Sequence, residues 1–162
     1  SCFIPKPHSP FQWEAQVSME EYRRRVELLR SSITAKNVSY NWHDPDTSFV
    51  EAALSRGDRK IADVIEAVWR AGGRMEAWSD YFRFERWMRA FEDCGLDPAF
   101  YASRERGEDE VLPWCRVNMG VRESLLLRER HRAYEAQLSP DCRAACSACG
   151  AAALLEEGRC DG

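Results

Sequence analysis

The stretch from Asp58 to Gly73 constrains the fold most. Ile61, Val64, Ile65, Val68 and Trp69 recur at spacings of three and four, the period of one helix face. Asp58 stands ahead of the run as a cap, and Gly72-Gly73 follow it as a stop. A strand, with its period of two, cannot place these five side chains on one side. The chain therefore has at least one amphipathic helix that needs a partner to cover it.

The same grammar repeats elsewhere. Ser18-Met19-Glu20-Glu21 is a capping box, Ser followed three later by Glu, and it opens a helix to about Ser32. Met19, Tyr22, Val26 and Leu29 give that helix its apolar stripe. Thr47 caps a short helix that stops near Gly57. A helix over about 83–94 buries Phe84, Trp87, Met88 and Phe91 and ends before Gly95. Asp97-Pro98 starts a short helical turn. Residues 104–111 are charged and read as a surface loop, and a last long helix runs from Gly120 or Arg122 to Gln137. Two segments read differently. Asn37 to Trp42 alternates Val38, Tyr40 and Trp42 with polar residues, as a short strand does. Pro5, Pro7 and Pro10 forbid a helix over residues 1–17, where Phe3-Ile4 reads as the end of a strand and the rest as an extended loop. The expected fold is mainly α with one or two short strands. Trp42, Trp69, Trp78, Trp87 and Trp114 are expected in its core, because no basic groove accompanies them for base stacking.

Charge and composition narrow the function. The 162 residues are 44% apolar and 31% charged, with a net charge of −4. That suits a globular chain and does not mark a nucleic-acid binder. The basic runs Arg23-Arg24-Arg25 and Arg128 to Arg132 are interleaved with Glu, and read as solvated, salt-bridged faces ahead of phosphate contacts. No apolar run approaches the roughly 18 residues of a membrane span, and no signal peptide opens the chain. The abrupt apolar start at Ser1-Cys2-Phe3-Ile4 reads as the edge of a longer or processed protein.

The seven cysteines are uneven. Cys2, Cys94 and Cys115 are scattered, while Cys142, Cys146, Cys149 and Cys160 crowd the last 21 residues. An odd count in this arrangement argues for a reducing cytoplasm rather than a disulfide framework. Cys142-x3-Cys146-x2-Cys149 lets three soft thiolates converge on one centre, with Cys160 as a fourth ligand. The expected occupant is a [4Fe–4S] cluster or zinc. The plain alternative is free cysteines in a loose tail.

C-x3-C-x2-C is also the spacing of the catalytic cluster in radical SAM enzymes. There, however, most of a barrel follows the motif, and here only 13 residues follow Cys149. The resemblance to that class lies elsewhere. Phe3-Ile4-Pro5-Lys6-Pro7-His8-Ser9-Pro10 resembles a Phe-x-Pro-x-Pro-Gly-Thr-Pro pattern that ends a late barrel strand in many radical SAM enzymes, with His8 and Ser9 in place of Gly and Thr. Asn41 to Pro45, Glu51, Ser55 to Arg59, Trp78-Ser79, Ala99 to Tyr101, Leu112-Pro113-Trp114, Leu126 to Arg130 and Asp141-Cys142 to Cys149-Gly150 extend it over nearly the whole chain. Together they resemble an uncharacterised radical SAM family that carries an N-terminal cobalamin-binding-type domain. One departure is Cys115-Arg116, where the family tends to have Asp and His.

The resemblance implies a C-terminal portion of such an enzyme. Residues 1–17 would be the end of a (β/α) barrel, 18–138 a helical extension, and 139–162 a cysteine-rich loop that binds metal. The upstream barrel and cobalamin-type domain of the same polypeptide would be its partners. The full enzyme would reductively cleave SAM and abstract a hydrogen by radical chemistry, and the fragment alone would be inactive. Loops at the C-terminal end of barrel strands carry active sites, so Lys6, His8 and Gln12 are the candidate contacts to SAM or substrate. His43, Asp44 and Asp46 suit acid–base work by type, but read first as a turn and a helix cap. His131 reads as a surface residue. The runner-up is a non-enzymatic helical module with a four-cysteine zinc knuckle. The two differ over residues 1–17, which should expose apolar surface if they close a barrel and pack inward if they belong to an independent domain.

Overall fold

A computed structural model of the protein describes residues 3–154. Cys2 and Cys160 lie outside the described residues. The elements are helices α1 (Met19–Ser32), α2 (Pro45–Arg56), α3 (Ile61–Arg70), α4 (Phe84–Asp93), α5 (Pro98–Ala102) and α6 (Glu123–Tyr134), then a 3-10 turn over Ala151–Leu154. None of the described helices is long and apolar enough to cross a membrane.

The mainly helical expectation holds, and the strands do not. Among the described residues there is no strand, neither at Phe3-Ile4 nor over Asn37 to Trp42. The second segment alternates, but Val38 and Trp42 are exposed and no partner strand completes its backbone hydrogen bonds. Tyr40 and Trp42 stack on each other at 5.3 Å instead. Alternation without a partner gives an extended segment and no sheet.

The chain divides into two compact units. The first comprises Ala15–Glu105 with the described residues before Pro5, and the second Pro5–Glu14 with the described residues from Arg106 onward. In the first, Phe49, Val50, Ala52 and Ala53 of α2 meet Ile61, Val64 and Val68 of α3, Trp87 and Phe91 of α4, and Tyr101 and Ala102 of α5. The α3 stripe is narrower than its spacing suggests. Ile65 and Trp69 lie on the uncovered flank, where the Arg74 guanidinium sits 4.7 Å over the Trp69 ring. Trp42 and Trp78 are exposed as well, so of the five tryptophans expected in the core only Trp87 and Trp114 are buried.

Caps explain where the helices begin. Ser18 Oγ accepts from the Glu21 N–H at 3.2 Å, but the Glu21 carboxylate does not complete the box; it accepts from Arg24 and Arg25 at 2.6–2.8 Å. Asp44, and not Thr47, caps α2: its Oδ1 accepts from the Thr47 N–H at 2.9 Å, and Pro45 opens the helix. Asp58 Oδ1 accepts from Lys60 N–H at 2.9 Å ahead of α3, and the Gly73 N–H closes that helix on Val68 O at 2.9 Å.

One buried cation ties the first unit together. Arg56 is 0% exposed, and its guanidinium donates to Ala102 O at 2.8 Å and to Arg104 O at 3.4 Å. Arg56→Met keeps the side-chain bulk and leaves these carbonyls short of a donor. The expected loss is about 2 kcal/mol of stability, read by denaturant unfolding. Glu21 gives a pH prediction. Hydrogen bonds from Arg24, then Arg25, hold its carboxyl down at about 2. Its folded value lies below its unfolded one, so its contribution is complete above the ordinary carboxylate range and is lost as pH falls through about 2. Far-UV circular dichroism should therefore lose helix signal on acidification to pH 2 more steeply in the wild type than in Glu21→Gln.

Candidate functional site

The chemistry-bearing residues gather in the second unit, around two features: a cavity and the cysteine segment. Residues 5–14 form consecutive turns, with Gln12 N–H donating to Ser9 O at 3.0 Å and Glu14 N–H to Phe11 O at 3.1 Å. Ser9 Oγ donates to Lys6 O at 2.7 Å. Between them His8 is left-handed, with φ 57°, a conformation that costs an ordinary residue and suits glycine.

Gln12 locks this turn to the rest of the unit. It is 2% exposed, and its Oε1 accepts from His8 N–H at 2.9 Å and from Trp114 Nε1–H at 2.8 Å. Trp114 joins Trp13, Leu112 and Leu126 in the unit's small apolar core. Trp13 O accepts from Arg106 N–H at 2.8 Å, and the Arg106 guanidinium lies 5.3 Å from the Trp114 ring and pairs with Glu110 at 3.3 Å. The segment expected as a charged surface loop thus contains a buried arginine. On α6, Arg130 bonds Glu14 Oε1 at 2.7 Å and also Glu108, and its side chain is nearly covered. This basic run is salt-bridged as expected, but at Arg130 it is not solvated. Burial works against the Arg130 charge, and the Glu14 and Glu108 bonds outweigh it. Glu108 also meets His131 Nε2 at 3.0 Å; that bond, then Arg130, holds its carboxyl below the usual range. His131 is exposed, as expected.

A cavity of about 350 Å³ opens beside Gln12. His8 and Gln12 line it, with Cys115, Asn118, Met119 and Glu123 among the other wall residues. The size falls at the small end of ligand pockets. Of the three residues expected near SAM or substrate, the structure brings His8 and Gln12 together and leaves Lys6, which is exposed, outside the lining. Gln12 is occupied in holding Trp114 and the His8 backbone, so its role is positioning. Cys115, incidental in the sequence, and Glu123 and Asn118, unmarked by any motif, are the wall residues that sequence reading missed.

The cysteine segment lies on α6. Arg122 N–H donates to Cys149 O at 2.7 Å, and the Arg128 guanidinium donates to Ser147 O. Ala148 N–H points at Cys146 Sγ and Ala151 N–H at Cys149 Sγ, both at 3.4 Å. Ala148 and Gly150 have positive φ, 54° and 96°. N–H donors of this kind are the outer-shell contacts that tune metal-bound thiolates. Cys142 lies on a turn in which Ala144 N–H and Ala145 N–H bond Asp141 O at 2.9 and 3.1 Å. Among the described residues no three His, Cys, Asp or Glu side chains form a metal-holding group. Thiolates are suitable donors for zinc or an iron–sulfur cluster, but the described structure does not gather the three cysteines on one centre.

The remaining candidates have structural work. The His43 carbonyl accepts from Tyr22 Oη–H at 2.7 Å, Asp44 caps α2, and Asp46 pairs with Arg23 at 2.6 Å. Burial, then Asp63 and Asp93, pushes the Cys94 thiol up, which keeps it protonated and a poor ligand.

No family model matches the chain, and neither does any curated protein or solved structure.

Replacing Gln12 by Leu conserves its bulk and strands the Trp114 Nε1–H and the His8 N–H. The expected cost is about 2–4 kcal/mol, seen as earlier unfolding in denaturant followed by tryptophan emission.

Proposed function

We propose that the chain is the C-terminal part of a radical SAM iron–sulfur enzyme, and that Cys142, Cys146 and Cys149 hold a metal centre of its own. The observation that carries the metal reading is the pair of backbone N–H donors at the Cys146 and Cys149 sulfurs. When bound, a [4Fe–4S] cluster would supply electron transfer. The chain's own part is to present the thiolates, and to anchor the segment that carries them through Arg122, at the N-cap of α6, and Arg128 within it.

The turn at residues 5–10 supports the resemblance. The pattern has Gly where this chain has His8, and the backbone there is left-handed. It has Thr where this chain has Ser9, and the hydroxyl is used in a bond to Lys6 O that threonine can also make. SAM or substrate would then be met by the cavity wall at His8, with Gln12 fixing that wall.

A second reading has its own support. Pro5, Gln12 and Trp13 are fully buried, as expected of an independent helical module with a zinc knuckle. The metal separates the two. After anaerobic reconstitution with iron and sulfide, the radical SAM reading expects ~4 irons per chain and a broad visible band, both lost in Cys146→Ala. One zinc per chain with no iron uptake would favour the module, and neither metal would sink both readings.

A further inference from the structure

Cys146-Ser147-Ala148-Cys149 is a C-x2-C pair whether or not a third cysteine joins it. Three residues along the chain, the two Cα atoms can lie at most roughly 10 Å apart, and a disulfide asks for about 4.4–6.8 Å. The φ of 54° at Ala148 keeps the chain between them from full extension. The two thiols are free and differ in access: Cys146 is exposed and Cys149 is half-buried.

The pair sits on a fixed base. Arg122 N–H donates to Cys149 O at 2.7 Å, and the Arg128 guanidinium donates to Ser147 O, between the two cysteines. A Cβ at Gly150 would stand 2.7 Å from Arg122 Cγ and 3.0 Å from Gly120 O, so a glycine there is what lets the segment come so close. These contacts hold the main chain of the pair. They leave the Cys146 side chain to solvent and Cys149 partly covered.

We propose that Cys146 and Cys149 form a dithiol exchange centre that reduces small-molecule disulfides, with Cys146 attacking and Cys149 resolving. The centre needs neither Cys142 nor a metal, and it belongs to the chain with both thiols free. The Cys146 thiolate attacks one sulfur of a disulfide R–S–S–R. That bond breaks, RS⁻ leaves, and a Cys146–S–S–R mixed disulfide forms. Cys149, its proton lost to solvent, attacks the Cys146 sulfur, expels the second RS⁻ and closes a Cys146–Cys149 bond. The dithiol gives up two electrons and two protons, and the disulfide becomes two thiols. Access sets the order of roles: an incoming disulfide meets the exposed sulfur, and the half-buried one has to reach only its neighbour.

Oxidised glutathione, added to the whole chain in the presence of a chelator, tests this. Remaining thiols are alkylated, and trypsin cleavage after Arg143 and Arg159 isolates residues 144–159, which carry these two cysteines and no other. The wild-type peptide should be unalkylated, free of glutathione and lighter by two hydrogens. Cys149→Ala should accumulate the mixed disulfide on Cys146 at least about tenfold above the wild type. In Cys146→Ala, glutathione should join Cys149 about tenfold more slowly than it joins Cys146 in Cys149→Ala, and in denaturant the two variants should react alike. A wild-type peptide that is alkylated on both cysteines, retains glutathione or links to Cys142 would overturn the proposal. Equal rates for the two variants in the folded chain would overturn it as well. The metal reading stands or falls separately, by iron and zinc uptake.

Discussion

The side chain of Gln12 is the joint on which the second unit depends. One carboxamide oxygen accepts two buried donors, the His8 N–H from its own turn and the Trp114 Nε1–H from a segment 102 residues away. A buried N–H without an acceptor costs as much as a lost core contact. The oxygen therefore fixes the turn at His8 and the tryptophan it packs against in a single stroke. The Trp114 ring lines the cavity and carries the Arg106 guanidinium, and Glu14, two residues beyond Gln12, pairs with Arg130 of α6.

Local signals were legible in the sequence, and long-range ones were not. The helices at Met19–Ser32, Ile61–Arg70 and Phe84–Asp93 were readable because caps, stops and a period of three to four are written within a dozen residues. Burial depends on what covers a face. The α3 spacing does not show that only Ile61, Val64 and Val68 would be covered while Ile65 and Trp69 stayed outside. Asn37 to Trp42 has the alternation of a strand, but a strand is a property of two segments, and the second does not exist among the described residues. Arg106 reads as part of a charged surface loop and nothing marks Arg56 as buried, because their partners, mostly backbone carbonyls and a ring, are invisible in composition.

The site divides along the same line. Cys142, Cys146 and Cys149 are marked by spacing alone, and His8 and Gln12 by their place in a proline-rich turn. That Cys115, Asn118 and Glu123 share a cavity with His8 belongs to the fold and to no motif. The bonds from Arg122 and Arg128 to the cysteine segment were equally hidden, since a basic helix facing solvent and one facing backbone carbonyls have the same sequence.

The second unit is also interrupted in the chain. Pro5–Glu14 belongs with residues from Arg106 onward, and the first unit is threaded between them. Chains are made from the N-terminus, and contiguous units fold as they appear. Ala15–Glu105 has nearly all its partners once residue 105 is made. The turn at His8 must wait, with Trp13 uncovered, until Trp114 and α6 arrive. Closing so long a loop adds little equilibrium cost, because the entropy grows only logarithmically with length. The burden falls on time instead: a greasy, proline-stiffened leader is the first part of this stretch to be synthesised and among the last to be buried.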